Sequence, residues 1–196
     1  MATTSTEDDA LDRADMERLQ RGHDAALNAL MERHATAVFH FLCRMLANED
    51  DANDLAQETF VRVFRARDSY RLKQRFSPWL FTIAANLARN QIRWRTRHPN
   101  VSLSADPEPE QHSLTDTLAS DAPTARDEAL ATELKAAVRT AVNQLPEDMR
   151  EAIVLCEWEE MTVADAATVA QITPKAMESR LYRARQILRA ELNKWL

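Results

Sequence analysis

The stretch TVADAATVAQITPKAMESRLYRARQIL, residues 162–188, contains two helix starts separated by a short turn. Thr162 with Asp165 makes a capping-box pattern ahead of the apolar set Ala166, Ala167, Val169 and Ala170. Gln171 to Thr173 reads as the turn. Thr173-Pro174 then opens a second helix, with Thr as N-cap and Pro at the first helical position, running to about Leu192. On this second helix Met177, Leu181, Ala184 and Leu188 share one face and point to a core. Lys175, Glu178, Ser179, Tyr182, Arg183 and Gln186 are left outward. Such a pair of helices is a helix-turn-helix, whose outward N-terminal residues are placed to enter a major groove. A merely solvated charged face is the competing reading. The run from Ile172 to Lys194 carries six bases against two acids, and that excess favours a polyanion.

The rest of the chain fits the same partner. Its net charge is −6, but the charge is segregated. Arg62 to Arg97 holds ten bases and one acid, whereas Pro99 to Glu128 holds seven acids and one base. Two basic regions separated by an acidic strap suggest a polyanion gripped at two places. The chain has 196 residues, enough for one domain or two small ones, and 45% are apolar, which is ordinary for a globular protein. Its single glycine, Gly22, argues against sheet hairpins and phosphate-cradling loops and for an all-helical fold. Cys43 and Cys156 stand alone, without metal-ligand spacing, and each falls on an apolar stripe as a buried thiol, so no metal site is expected. The first residues contain no apolar run, so they read as neither signal peptide nor membrane span but as a polar, partly frayed lead-in. A cytoplasmic location without direct membrane association follows as the expectation.

Helical spacing of Ala26, Leu27, Leu30, Met31, His34, Val38, Phe41, Leu42 and Met45 predicts a helix from about Asp24 to Leu46. Asn48 to Asp51 supplies capping groups for the next helix, which turns Ala52, Leu55, Ala56, Thr59, Phe60, Val63 and Phe64 inward and ends near Ala66. Ser77-Pro78 signals another start, and Leu80, Ile83, Ala84, Leu87, Gln91 and Trp94 carry that helix inward-facing to Pro99. Residues 99–123 contain Pro107, Pro109 and Pro123 among polar residues and read as a linker. Beyond it, Leu130 to Leu145 and a segment opened by Pro146 give two more helices.

Several of these segments resemble one known family. Leu145 to Leu188 resembles the C-terminal domain of extracytoplasmic-function (ECF) sigma factors, the small promoter-recognition subunits of bacterial RNA polymerase. DANDLAQETFVRVFRA (51–66) and FSPWLFTIAANLARNQIRWRTR (76–97) resemble their N-terminal domain. LP-x-x-x-R (Leu145, Pro146, Arg150), DLAQETF (54–60) and SRLYRAR (179–185) in register make the resemblance specific, over roughly residues 24–192. It departs from the family at Gln171, where a small glycine-like residue is common, at Glu178, where a polar or basic residue is common, and at Asn53 and Asn90, where acids are common.

The resemblance implies an all-α protein of two small domains: a polar tail at 1–23, a region-2-like domain at 24–98, an acidic flexible linker at 99–127, and a region-4-like helix-turn-helix domain at 128–196. It implies docking on core RNA polymerase through Asp51, Asp54, Gln57, Glu58 and Phe60. It implies −10 recognition and melting by Arg67, Ser69, Tyr70, Arg71 and Lys73, with Asn86, Arg89, Asn90 and Arg93 tracking the upstream duplex. The −35 element would be read by Lys175, Glu178, Ser179, Arg180, Tyr182 and Arg183. The loop at 65–79 interleaves bases with aromatics, a pattern suited to phosphate attraction and to stacking of unpaired bases. Partners would be core polymerase, promoter DNA and an anti-sigma factor, soluble or membrane-bound; no cofactor and no catalysis are implied. A free-standing helix-turn-helix regulator, a nuclease and an adaptor are the rivals. The first lacks an evident dimerisation domain, the second a carboxylate cluster or His pair near the basic loop, and the third has no need of a recognition helix.

Overall fold

The computed structural model describes residues 3–98 and 125–193, and these are helical without a strand. The helices are α1 (Thr3–Gln20), α2 (Ala26–Leu46), α3 (Glu49–Arg65), α4 (Phe76–Arg97), α5 (Ala125–Gln144), α6 (Glu147–Ile153), α7 (Val163–Ala170) and α8 (Pro174–Leu192). A 3₁₀ turn, Arg67–Ser69, follows α3, and a π-helical turn, Val154–Trp158, extends α6. Most of the span read as a linker lies outside the described residues, and α5 begins at Ala125, inside that span.

The first helix corrects the expectation of a frayed polar lead-in. Met16 and Leu19 on α1 are fully buried in the core. Two acids anchor the rest: Asp12 bonds Arg33 at 2.9 Å and His34 at 2.8 Å, and Asp15 bonds Arg33 at 2.7 Å. Asp12 and Asp15 are buried, so their charge is compensated by partners on α2. Much of what holds α1 is therefore tertiary charge pairing, which leaves little apolar periodicity in the sequence. Gly22, at φ +86°, ends the helix: Gly22 N–H donates to Leu19 O at 3.1 Å and His23 N–H to Arg18 O at 3.0 Å, the two bonds of a Schellman motif.

The next two helices follow the sequence pattern. α2 buries Ala26, Leu30, Val38, Phe41, Leu42, Met45 and Leu46, and α3 buries Ala52, Ala56, Thr59, Phe60 and Val63. Ala47, left-handed at φ 52°, turns the chain, and the Asn48 side chain caps α3 by accepting from Asp51 N–H at 2.8 Å. α4 begins at Phe76, with Arg75 at the cap position, so Ser77 is not the cap. Pro78 still sits in the first turn, where a missing N–H leaves no bond unmade. Trp94, assigned inward by spacing, is 44% exposed because the last turns of α4 run past the core that Leu80, Ala84 and Leu87 face. Gln91, one turn earlier, is half-buried and donates to Asp51 at 2.7 Å.

The two halves pack against each other, α4 on α7 and α2 on α5 and α6, around one continuous core. Polar ties cross this junction. Arg89 bonds Glu151 at 2.7 Å, Arg75 bonds Asp165 at 2.5 Å, and Arg44 lies 3.7 Å from Glu159 with its guanidinium over the Trp158 ring. Arg150, the last residue of the LP-x-x-x-R pattern, donates to Met45 O at 2.9 Å and to Asn143 O and Leu145 O at 2.5 and 3.2 Å. One guanidinium thus satisfies carbonyls at the ends of α2 and α5, groups that a helix leaves without an internal partner.

Candidate nucleic-acid interface

The helix-turn-helix is built by its caps. Thr162 Oγ1 accepts from Asp165 N–H at 3.1 Å, and Thr173 Oγ1 accepts from Ala176 N–H at 3.2 Å, fixing the starts of α7 and α8. Gln171 takes the left-handed conformation at φ 57°, with Gln171 N–H donating to Thr168 O and Ile172 N–H to Ala167 O. This is a second Schellman turn, made here without glycine. Met177, Leu181 and Ala184 are buried, while Lys175, Glu178, Ser179, Tyr182 and Arg183 are exposed on the opposite face. Arg180 departs from that outward set. It is half-buried and lies 3.3 Å from Asp148 at the start of α6, so its charge is spent inside the domain. Arg185 is likewise fastened to Glu157 on the π-helical turn, at 2.6 Å.

A second feature lies between α2 and α3, where Met31, Ala35, Phe39, Ala56, Gln57 and Phe60 line an open apolar groove. Gln57 and Asp54 are exposed beside it, and Phe60, 3% exposed, forms its floor. Glu58 is paired along the helix with Arg62 at 2.8 Å. Asp51 faces elsewhere: it accepts from Gln91 and forms an ion pair with Arg95, so it secures α3 to α4 and does not border the groove.

The basic loop between α3 and α4 differs from the sequence reading at its aromatic residue. Tyr70 is 4% exposed, its ring packed edge-on against Phe76 and Trp79, and its hydroxyl donates to Gln74 O at 2.8 Å. Burial pushes the phenol up to about 12. The ring offers no face to an unpaired base; its part is to shape the loop from beneath. Arg67 is also drawn inward, lying over the Phe64 ring and donating to Phe64 O at 2.9 Å. Ser69 Oγ donates to Ala66 O at 2.6 Å within the 3₁₀ turn. Arg71 and Lys73 remain exposed and give the loop its accessible charge.

On α4, Arg89 donates to Glu151 and to Asn86 Oδ1, both at 2.7 Å, so this pair is held at the junction of the halves. Glu151 is 2% exposed; burial pushes its carboxyl up, and Arg89 opposes the shift. Arg93 and Asn90 are exposed and bonded to each other at 2.7 Å. Trp94, Arg97 and His98 continue this surface, with the Trp94 ring stacked on His98 at 5.1 Å between centroids. These three were missed in the sequence because the spacing assigned Trp94 inward. The alternation of bases and ring residues in RWRTRH was the available signal.

Cys43 and Cys156 are free and half-buried, less enclosed than their apolar spacing predicted. Burial raises both thiols, that of Cys43 to about 11, which makes them poor thiolates. Among the described residues no three His, Cys, Asp or Glu side chains gather as metal ligands, and no helix is long and apolar enough to cross a membrane.

A two-part helical chain with a capped helix-turn-helix in one half and a basic loop and helix in the other is an arrangement suited to gripping duplex DNA at two places. Its sequence matches the family described as Sigma-70 region 2 over residues 30–98 and that described as Sigma-70, region 4 over residues 135–188. It is 33% identical over 177 residues to the RNA polymerase sigma-H factor of Pseudomonas aeruginosa, covering 88% of this chain and 89% of that one. To the RNA polymerase sigma factor CarQ of Myxococcus xanthus it is 38% identical over 174 residues, covering 89% and 93%. Among solved structures, CnrH in complex with the cytosolic domain of CnrY aligns with a TM-score of 0.69 at 27% identity, covering 94% of this chain and 98% of that one. The sigma factor RpoE of Bartonella quintana, in complex with the anti-sigma factor NepR, aligns with a TM-score of 0.65 at 25% identity, covering 86% and 98%. The chain belongs to the ECF sigma factors of bacterial RNA polymerase.

Proposed function

We propose that this sigma factor binds core RNA polymerase in the cytoplasm, directs it to a set of promoters, and is held inactive by an anti-sigma factor. It has no catalysis of its own. Residues 24–98 dock on polymerase and act at the −10 element, the linker joins the halves, and 128–196 read the −35 element. Docking uses the α2–α3 groove, with Gln57 in its lining, Asp54 exposed beside it and Glu58 next along the helix in its pair with Arg62; an apolar floor beside acids suits an amphipathic basic helix. The exposed Arg71 and Lys73, with Asn90 and Arg93, attract promoter phosphates. Melting is driven by capture of unpaired bases in concert with polymerase. The anti-sigma factor NepR bound in the aligned RpoE complex supports the inhibitory partner.

The observation that carries this reading is the division of α8. Met177, Leu181 and Ala184 are buried, and Lys175, Glu178, Ser179, Tyr182 and Arg183 are exposed on the other side. The test is transcription by core polymerase from a library randomised at −35. Arg183→Ala is expected to weaken initiation evenly across sequences and to flatten the salt dependence. Glu178→Arg is expected to change the preferred base at one position by about 1–3 kcal/mol, because a carboxylate accepts from cytosine N4 and a guanidinium donates to guanine. Uniform loss for both variants would mean that the helix supplies charge without readout. Failure of the wild type to co-elute with core polymerase would remove the sigma-factor mechanism.

A further inference from the structure

The loop that carries Arg71 and Lys73 is spanned by a helix outside the residues matched to region 2. Gln20, the last residue of α1, directs its side-chain amide at the 3₁₀ turn. Its Nε2 donates to Arg67 O and to Tyr70 O, each at 2.8 Å, across 47 and 50 residues of sequence. Both amide hydrogens are therefore used, one on the carbonyl of the turn's first residue and one on that of the residue after it. At the other end of the loop Arg75, at the cap position of α4, bonds Asp9 of α1 at 2.8 Å. Asp9 and Gln20 are about 16 Å apart along a helix rising 1.5 Å per residue, so a single rigid rod fastens the loop at both ends. The rod is itself fixed to α2 by buried Met16 and Leu19 and by the Asp12 and Asp15 pairs with Arg33. The Schellman turn at Gly22 sets where α1 stops, and so where Gln20 points.

We propose that α1 is a splint for the −10 loop and that Gln20 is a positioning residue for single-strand capture. It touches no DNA; it holds the Arg67 to Tyr70 backbone so that Arg71 and Lys73 meet the strand in one arrangement. Without it the loop must be ordered at the moment of binding, and affinity falls by the cost of that ordering. This inference rests on the proposed −10 role of the loop.

The experiment uses full-length protein in holoenzyme with core polymerase and a promoter recovered by the wild type from a random library. Its probe is a fluorescent single-stranded oligonucleotide of the non-template −10 sequence. Gln20→Met keeps the length and loses both donors. It is expected to weaken oligonucleotide binding about tenfold, the scale of one or two neutral hydrogen bonds, while affinity for core polymerase and for the −35 duplex is unchanged. Gln20→Lys restores donors to the same two carbonyls and is expected to recover most of the loss, which a change of bulk packing alone would not produce. Oligonucleotide affinity equal to wild type in Gln20→Met overturns the splint while leaving the sigma-factor reading intact. A parallel loss of core and −35 binding, or no recovery in Gln20→Lys, overturns it as well by making Gln20 a general stability residue. If the wild-type holoenzyme fails to bind the strand, the proposed −10 role fails and the inference falls with it.

Discussion

Replacing Arg150 by Ala should be among the costliest substitutions in the second half of the molecule. Its guanidinium donates to Met45 O, Asn143 O and Leu145 O at 2.9, 2.5 and 3.2 Å, and Met45 lies 105 positions away. A hydrogen bond to a charged group contributes about 1.5–3 kcal/mol, so three would give roughly 4–9 kcal/mol. Two effects reduce that figure. Burial disfavours the charged guanidinium, lowering its pKa, and Nε is buried without an acceptor, a cost already present in the wild type. The freed carbonyls also sit at helix ends beside a half-buried side chain, where water can replace part of what is lost. A net loss of about 2–4 kcal/mol remains. Urea unfolding followed by tryptophan fluorescence and circular dichroism measures it. Arg150→Lys should recover no more than about one bond's worth, roughly 1 kcal/mol, because an ammonium is a point donor and cannot fork to three carbonyls. A loss below about 1 kcal/mol in Arg150→Ala, or full recovery by Lys, would refute the account of the LP-x-x-x-R arginine as a fastener of helix ends.

Two further outcomes follow from local geometry. Burial pushes the Glu159 carboxyl up to about 7, with Arg44 opposing the shift, so the folded protein holds a proton there that the unfolded chain releases above about 4.5. Stability from this group is fully present below that lower value and is lost as pH rises through 7. Glu159→Gln should therefore unfold later than wild type at pH 8, with the gap closing by pH 5; a gap independent of pH would contradict it. Gln171→Gly should raise stability by about 0.5–1 kcal/mol, because φ 57° penalises a side chain, whereas Gly22→Ala should lose a similar amount at φ +86°. Thermal unfolding of both variants checks the opposite signs, and equal signs would show that the turns are not governed by φ.

The helices of the core were legible because their apolar residues recur at helical spacing and because three of them, α3, α7 and α8, start on side-chain caps: Asn48, Thr162 and Thr173 all cap as their types suggest. What the sequence concealed was set by tertiary partners. α1 is held largely by Asp12 and Asp15 reaching Arg33 and His34 on α2, and no local pattern announces an ion pair to the next helix. The same limit applies to the candidate site. Residue type singled out Tyr70, Arg180 and Asp51, but burial under the loop, Asp148 and Arg95 respectively draw them inward. Arg71, Lys73, Glu178 and Arg183 are exposed, Arg183 with its Nε on the Ser179 carbonyl of its own helix, so no contact with another helix draws their charge inward.

The bond between Arg89 and Glu151 has a consequence for how tightly the protein binds its promoter. A guanidinium committed to a carboxylate that is 2% exposed is not available to a phosphate. Under the role on the upstream duplex that the family resemblance implies for Arg89, the joined halves and the promoter would compete for one charge. The apparent affinity for DNA is then the intrinsic affinity scaled by the fraction of molecules in which that bond is open. By reciprocity, DNA bound at α4 loosens the junction by the same factor by which the junction weakens DNA. A population that is mostly joined would thus bind promoters weakly on its own, and any partner that separates the halves would raise its affinity without touching DNA.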